Sequence, residues 1–142
     1  MRSSRRFRAL DLGPLPAELV NRILQCALPP GTVHFSAATQ DHAFGRHGDE
    51  FLACLPHVAA AIIAPHYIGQ SPHHLDGFEM IREAPDVSSH VLVAMTKAFD
   101  DGGRYSVRSV YQISRNTVLA RVRKGRLFRV RQWPGNDKGP TA

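Results

Sequence analysis

The residues best suited to chemistry lie close together in residues 39–50, where Arg46 stands between His42 and His47. Cleavage of RNA without a metal needs a base for the 2′-hydroxyl proton, an acid for the 5′-oxygen and donors for the phosphate oxygens. Histidine suits the proton transfers because its unperturbed pKa is about 6.5, and arginine fits phosphate. This stretch therefore contains the residue types that such a reaction requires.

The spacing of the two histidines sets a condition on this interpretation. His42 and His47 are five residues apart, which places them about 140° apart around a regular helix. They converge only if His42 lies in the first helical turn, or if Gly45 or Gly48 distorts the helix. Without such a distortion, each histidine is an ordinary surface or half-buried residue.

A later strand-like segment offers hydroxyl groups that can complete the same chemistry. Strict alternation along this segment puts five side chains on one face of the strand. They are Tyr105, Val107, Ser109, Tyr111 and Ile113. The alternation predicts that Ser109 and Tyr111 project together.

The charge of the chain indicates a polyanionic partner. The formal net charge is +6, and residues 104–131 contain nine basic residues and no acidic one. Arginine-rich segments bind phosphate backbones, so nucleic acid is the favoured partner. A solvated basic face, or a surface for an acidic protein, is the alternative.

Other chemistries have weaker support in the sequence. Cys26 and Cys54 lie in apolar runs without metal-ligand spacing, which favours free thiols. His73 and His74 are adjacent, so their side chains diverge in either a helix or a strand and chelate poorly. No metal and no cofactor is expected, although a metal-dependent hydrolase using His73, His74 and Asp76 is a further alternative.

The pattern along the chain predicts an α+β domain. A helix is expected over residues 14–28, a strand over 32–36, helices over 39–55 and 56–64, and then a series of antiparallel strands. The sequence Asp-Asp-Gly-Gly at 100–103 predicts a hairpin. Residues 116–124 fit a short helix capped by Asn116, or a strand.

One domain is expected over residues 14–132, between a flexible basic tail at 1–13 and a flexible tail at 133–142. No run of residues reaches the roughly 20 apolar positions of a membrane span, and no apolar segment follows the N-terminal arginines. The sequence therefore predicts a cytoplasmic protein, or one that is delivered into a target cell or derived from a phage.

Together, the stretch around His42 and His47 and the late strand at 104–113 resemble phage-associated members of the barnase, EndoU, colicin and RelE-like nuclease superfamily. The resemblance covers about residues 33–130. It implies N-terminal helices packed on a twisted antiparallel sheet of four or five strands whose open face receives RNA. It also implies a toxin-like ribonuclease that forms a 2′,3′-cyclic phosphate without a metal, with a cognate inhibitor or immunity protein as a further partner.

The resemblance also implies roles for individual residues. His42 and His47 match the paired histidines, with His47 as the general base, and Arg46 matches a basic residue that holds phosphate. Ser109 and Tyr111 match hydroxyl residues that contact the phosphate or the ribose. The remaining phosphate-binding candidates are Arg104, Arg108 and Arg115. The alternative function is a non-catalytic module that binds nucleic acid or an acidic protein through residues 104–131.

Overall fold

A mixed sheet of seven strands forms the centre of the protein. The computed structural model describes residues 7–87, 89–100 and 102–130. The strand order across the sheet is β1-β2-β6-β5-β4-β3-β7. The strands are β1 (Leu10–Pro14), β2 (Thr32–Phe35), β3 (Tyr67–Gln70), β4 (Gly77–Ala84), β5 (Ser89–Phe99), β6 (Arg104–Ile113) and β7 (Leu127–Arg129).

The structure has five α-helices in the described residues, and serine side chains cap two of them. They are α1 (Ala17–Leu24), α2 (Ala37–His47), α3 (Asp49–Cys54), α4 (Val58–Ile63) and α5 (Arg115–Arg123). The Ser36 hydroxyl caps α2 by accepting a hydrogen bond from the Thr39 backbone N–H at 3.0 Å. Ser114, not the predicted Asn116, caps α5 in the same way. No helix in the described residues is long and apolar enough to cross a membrane.

The α+β class is confirmed, but the predicted sheet of four or five antiparallel strands is wrong in number and direction. The sheet has seven strands, and β2 runs parallel to β6. Part of the difference comes from the segment that was assigned to a flexible tail. Residues 10–13 belong to β1, and the Phe7 ring packs on Phe44 and Phe51 at centroid distances of 5.9 and 5.6 Å. Residues 1–6 and the predicted tail at 133–142 lie outside the described residues.

Buried side chains form two clusters, one for each face of the sheet. The larger cluster joins residues of α1 to α4 with strand residues such as Val93, Val107 and Val110. The smaller cluster contains Val118 of α5 with Leu92 and Ile113. Helix α5 thus covers only part of the second face, and the rest of that face is where polar side chains can meet solvent.

Strand β6 has a free edge that the neighbouring helices cover. Strand β2 pairs with β6 only over residues 32–34 and 104–106, which leaves the second half of β6 without a strand partner on that side. The Glu50 carboxylate in α3 instead accepts a hydrogen bond from the Gln112 backbone N–H at 3.0 Å. Because an unpaired N–H at a covered edge is costly, this contact helps to fix α2 and α3 beside β6.

A bulge in β6 changes which side chains share a face. Ala94 pairs with Ser109 and Met95 pairs with Val107, so Arg108 is an extra residue. The predicted common face of five side chains is therefore wrong, because Tyr105 and Val107 lie in the larger cluster on the other side of the sheet. Ser109 and Tyr111 still share a face, as predicted.

We expect Glu50→Ala to lower the free energy of unfolding by about 1–2 kcal/mol, because the Gln112 N–H loses its charged acceptor. Urea denaturation measures this change. Asp49→Ala is the matched control, since it removes the same charge from the adjacent exposed residue. Equal losses in the two variants would contradict a specific role for the Glu50 contact.

Candidate functional site

A cleft of about 370 Å³ lies between α2 and the bulged half of β6. We call it the histidine cleft. It contains six of the eight site residues that the sequence predicts. Its lining residues are His42, Ala43, Arg46, His47, His74, Arg108, Ser109 and Tyr111.

Helix α2 brings both predicted histidines to this cleft. The helix ends at His47 because Gly48 adopts φ 56°, a conformation that favours glycine, and α3 begins at Asp49. The His47 ring stacks on the Tyr111 ring with a centroid distance of 5.9 Å and an interplanar angle of 27°. His42 is more exposed than the half-buried His47. Helix α2 is continuous from Ala37 to His47, so His42 lies beyond its first turn and Gly45 does not interrupt it. Both histidines line the histidine cleft nevertheless, so the expected requirement for a distorted helix is wrong.

The bulge in β6 supplies two consecutive side chains to the same space. A regular strand would turn Arg108 and Ser109 to opposite faces, but both line the histidine cleft. The Arg108 guanidinium lies 3.4 Å from the Asp76 carboxylate, at the end of the loop before β4. This loop also contributes His74. The cleft thus combines imidazole, guanidinium and hydroxyl groups from three parts of the chain.

Tyr111 is held as a neutral phenol. Burial raises the pKa of Tyr111, and the Glu79 carboxylate raises it further, while the Arg121 guanidinium acts in the opposite direction. A phenol with a raised pKa keeps its proton at neutral pH. The Tyr111 hydroxyl is also hydrogen-bonded to the Arg121 side chain, which does not line the histidine cleft.

Glu79 and Arg121 are residues that sequence reasoning missed. The Arg121 guanidinium donates a hydrogen bond to Glu79 Oε1 at 2.9 Å, and the Glu79 side chain is only 5% exposed. Burial raises the pKa of Glu79, and Arg121 partly lowers it again. The available signal was a carboxylate placed directly between the apolar Phe78 and Met80, since such a group needs a partner when it is buried.

Two predicted phosphate ligands lie outside the histidine cleft. Arg104 is at the other end of β6, where its Nε lies 2.9 Å from the Asp100 carboxylate. Arg115 begins α5 and lines a separate small cavity with Glu83 and His90. Position along the sequence could not separate them from Arg108, because all three belong to one acid-free segment.

The adjacent histidines of the predicted metal alternative are divided between two spaces. His74 lines the histidine cleft, whereas His73 lines a larger cavity beside α5. Asp76 pairs with Arg108 instead of joining them. Within the described residues, no three His, Cys, Asp or Glu side chains form a group that could hold a metal ion. Cys26 and Cys54 are free thiols, and burial raises the pKa of Cys54 to about 11.

Comparisons with protein-family models, with curated proteins and with solved structures found no match for this chain. The geometry of the histidine cleft is therefore the basis for the function proposed below.

We expect Glu79→Gln to gain stability relative to the wild type as the pH rises from about 4 to 7. Since folding raises the pKa of Glu79, the folded state binds its proton more strongly than the unfolded chain does. The free energy of unfolding then falls as the pH rises from the unfolded pKa, about 4.3, through the folded one. Glutamine has no such dependence.

Urea denaturation of both proteins across this pH range measures the difference. A relative gain for the wild type with rising pH would mean that the Arg121 pair outweighs burial, which contradicts the stated direction.

Proposed function

We propose that this protein is a metal-independent ribonuclease whose active site is the histidine cleft. The observation that supports this most strongly is the convergence of His42, His47, Ser109 and Tyr111, from two distant parts of the chain, on one cleft. These are the groups that the sequence selects for acid–base cleavage of RNA. Arg46 and Arg108 add positive charge beside them.

In the proposed reaction, His47 is the general base. Its ring lies against Tyr111, so its orientation is constrained, whereas the exposed His42 has freer access to a leaving group. His47 takes the proton of the 2′-hydroxyl as that oxygen bonds to phosphorus. The bond from phosphorus to the 5′-oxygen breaks, and protonated His42 gives that oxygen its proton. The products are a 2′,3′-cyclic phosphate and a 5′-hydroxyl.

The other cleft residues stabilise the charge on the phosphate. Tyr111 and Ser109 donate hydrogen bonds to the non-bridging oxygens. Arg46 and Arg108 hold the phosphate electrostatically. Donors placed in advance at such oxygens account for a large part of many enzymatic rate enhancements.

The wider proposal places the chain with the barnase, EndoU, colicin and RelE-like nucleases. The placement of paired histidines against a hydroxyl-bearing strand supports it, as does the α+β architecture. With that placement come a toxin-like role on RNA and a cognate inhibitor or immunity protein. The mixed seven-stranded sheet departs from the four or five antiparallel strands that this resemblance implies.

We expect the wild type to cleave total RNA and tRNA in EDTA, and His47→Ala to reduce the rate by about 10²- to 10⁴-fold, the usual contribution of acid–base catalysis. His42→Ala should cause a loss in the same range. Gel analysis of the fragments and detection of cyclic phosphate ends measure both effects.

His57→Ala is the matched control. His57 lies 3.0 Å from the Asp86 carboxylate, away from the cleft, and its loss should leave cleavage within about twofold of wild type. A wild type that leaves RNA intact in EDTA contradicts the proposal. RNA binding that persists without cleavage in that case would favour the non-catalytic module.

We expect Arg46→Gln and Arg108→Gln to weaken the binding of a short single-stranded oligonucleotide that cannot be cleaved. Each should also lower the slope of log affinity against log salt by about 0.7, the value for one phosphate contact on a single strand. Arg104→Gln and Arg115→Gln are controls with the same charge change outside the cleft. If all four variants weakened binding equally, the oligonucleotide would be held by general charge attraction and not by a defined phosphate site.

A further inference from the structure

A second and larger cavity lies beside α5, on the same face of the sheet as Ser109 and Tyr111. Its volume is about 870 Å³, within the range of sites that bind small molecules and nucleotides. We call it the α5 cavity. Helix α5, the loop at 71–73 and the turn before β7 enclose it, and none of the eight predicted site residues lines it.

The α5 cavity is strongly basic on one side. Arg121, Lys124 and Arg126 line it, together with His73. Lys124 and Arg126 are exposed, so their charges can reach a ligand. Arg121 is instead committed to the buried Glu79 carboxylate through the 2.9 Å hydrogen bond. The two exposed cations at the rim are therefore available to a phosphate-bearing ligand, while the Arg121–Glu79 pair lies at the floor.

The α5 cavity also presents apolar surface. Pro72 and Ala120 line it. Sites for single-stranded nucleic acid combine a basic wall with aromatic or apolar surface against which bases can lie. Such mixed lining suits a nucleotide better than a simple anion.

The floor of the sheet connects the α5 cavity to the histidine cleft. Glu79, Ala94 and Ser109 form one row across β4, β5 and β6. Because adjacent strands are about 4.8 Å apart, Glu79 and Ser109 are separated by about 10 Å. Ala94, between them, is small and half-buried, so solvent reaches the sheet there. Arg121 acts electrostatically on both Glu79 in β4 and Tyr111 in β6, the two strands on either side of β5.

We infer that the α5 cavity is a subsite for a neighbouring nucleotide of the single-stranded RNA whose scissile phosphate occupies the histidine cleft. Lys124 and Arg126 bind the phosphate of that nucleotide, and the apolar wall receives its base. This inference rests on the proposed function, and it adds a requirement on the substrate. The protein should favour single strands long enough to fill both spaces.

The test measures binding by fluorescence anisotropy, with 2′-O-methyl oligoribonucleotides of two and six nucleotides that cannot undergo transesterification. We expect the double variant Lys124→Gln and Arg126→Gln to weaken hexanucleotide binding by about tenfold or more and to lower its salt slope by about 0.7, for the one phosphate that both side chains bind. Binding of the dinucleotide should change by less than about twofold.

Arg123→Gln is a control for the loss of one charge, because Arg123 is exposed on the same helix but does not line the α5 cavity. It should leave both affinities near wild type. Thermal midpoints of all variants establish that each is folded. Hexanucleotide binding that is unchanged in the double variant, or reduced equally by Arg123→Gln, would overturn the subsite.

Cleavage assays separate this outcome from that of the proposed function. A wild type that cleaves RNA, combined with a double variant that binds the hexanucleotide normally, rejects the subsite and keeps the ribonuclease. A wild type that cleaves nothing, combined with a selective loss in the double variant, rejects the ribonuclease and keeps a nucleic-acid site in the α5 cavity.

Discussion

The arrangement of the site depends on how the unpaired edge of β6 is covered. At this edge the Gln112 backbone N–H donates a hydrogen bond to the Glu50 carboxylate of α3. Strand β2 covers only the first part of β6, so the remaining edge must be covered by something other than a strand. Helices α2 and α3 do this, and they can do it only by lying beside the bulged half of β6. The histidine cleft is the space between that edge and α2, and its position therefore follows from how the edge is closed.

Much of the fold could be predicted from local patterns. Periodicity located α1, α4 and β2 to within a few residues, since this signal acts over short distances. It left residues 116–124 open between a helix and a strand. The sheet order could not be obtained in this way, because the parallel pairing of β2 with β6 joins residues about 70 positions apart. Strand β1 was missed because its short apolar sequence follows an arginine-rich segment that resembles a tail.

The sequence located the histidine and hydroxyl residues of the candidate site better than it located the arginines. His42, His47, Ser109 and Tyr111 meet, whereas Arg104 does not reach them. Arginines are common on surfaces and form pairs with whichever carboxylate is near, so residue type alone does not locate them. The ion pair of Glu79 and Arg121 could not be predicted from the sequence either, because its two residues are 42 positions apart.

The bulge at Arg108 makes the cleft depend on the length of β6 and not only on its composition. Removing Arg108 would restore regular pairing, with Val107 and Val110 still facing the core and Ser109 still facing the cleft, but the cleft would lose its guanidinium from β6. Among related chains, a one-residue gap at this position would therefore mark those whose β6 is regular and whose cleft lacks this guanidinium. Such a gap would be more informative than the substitution of any one arginine.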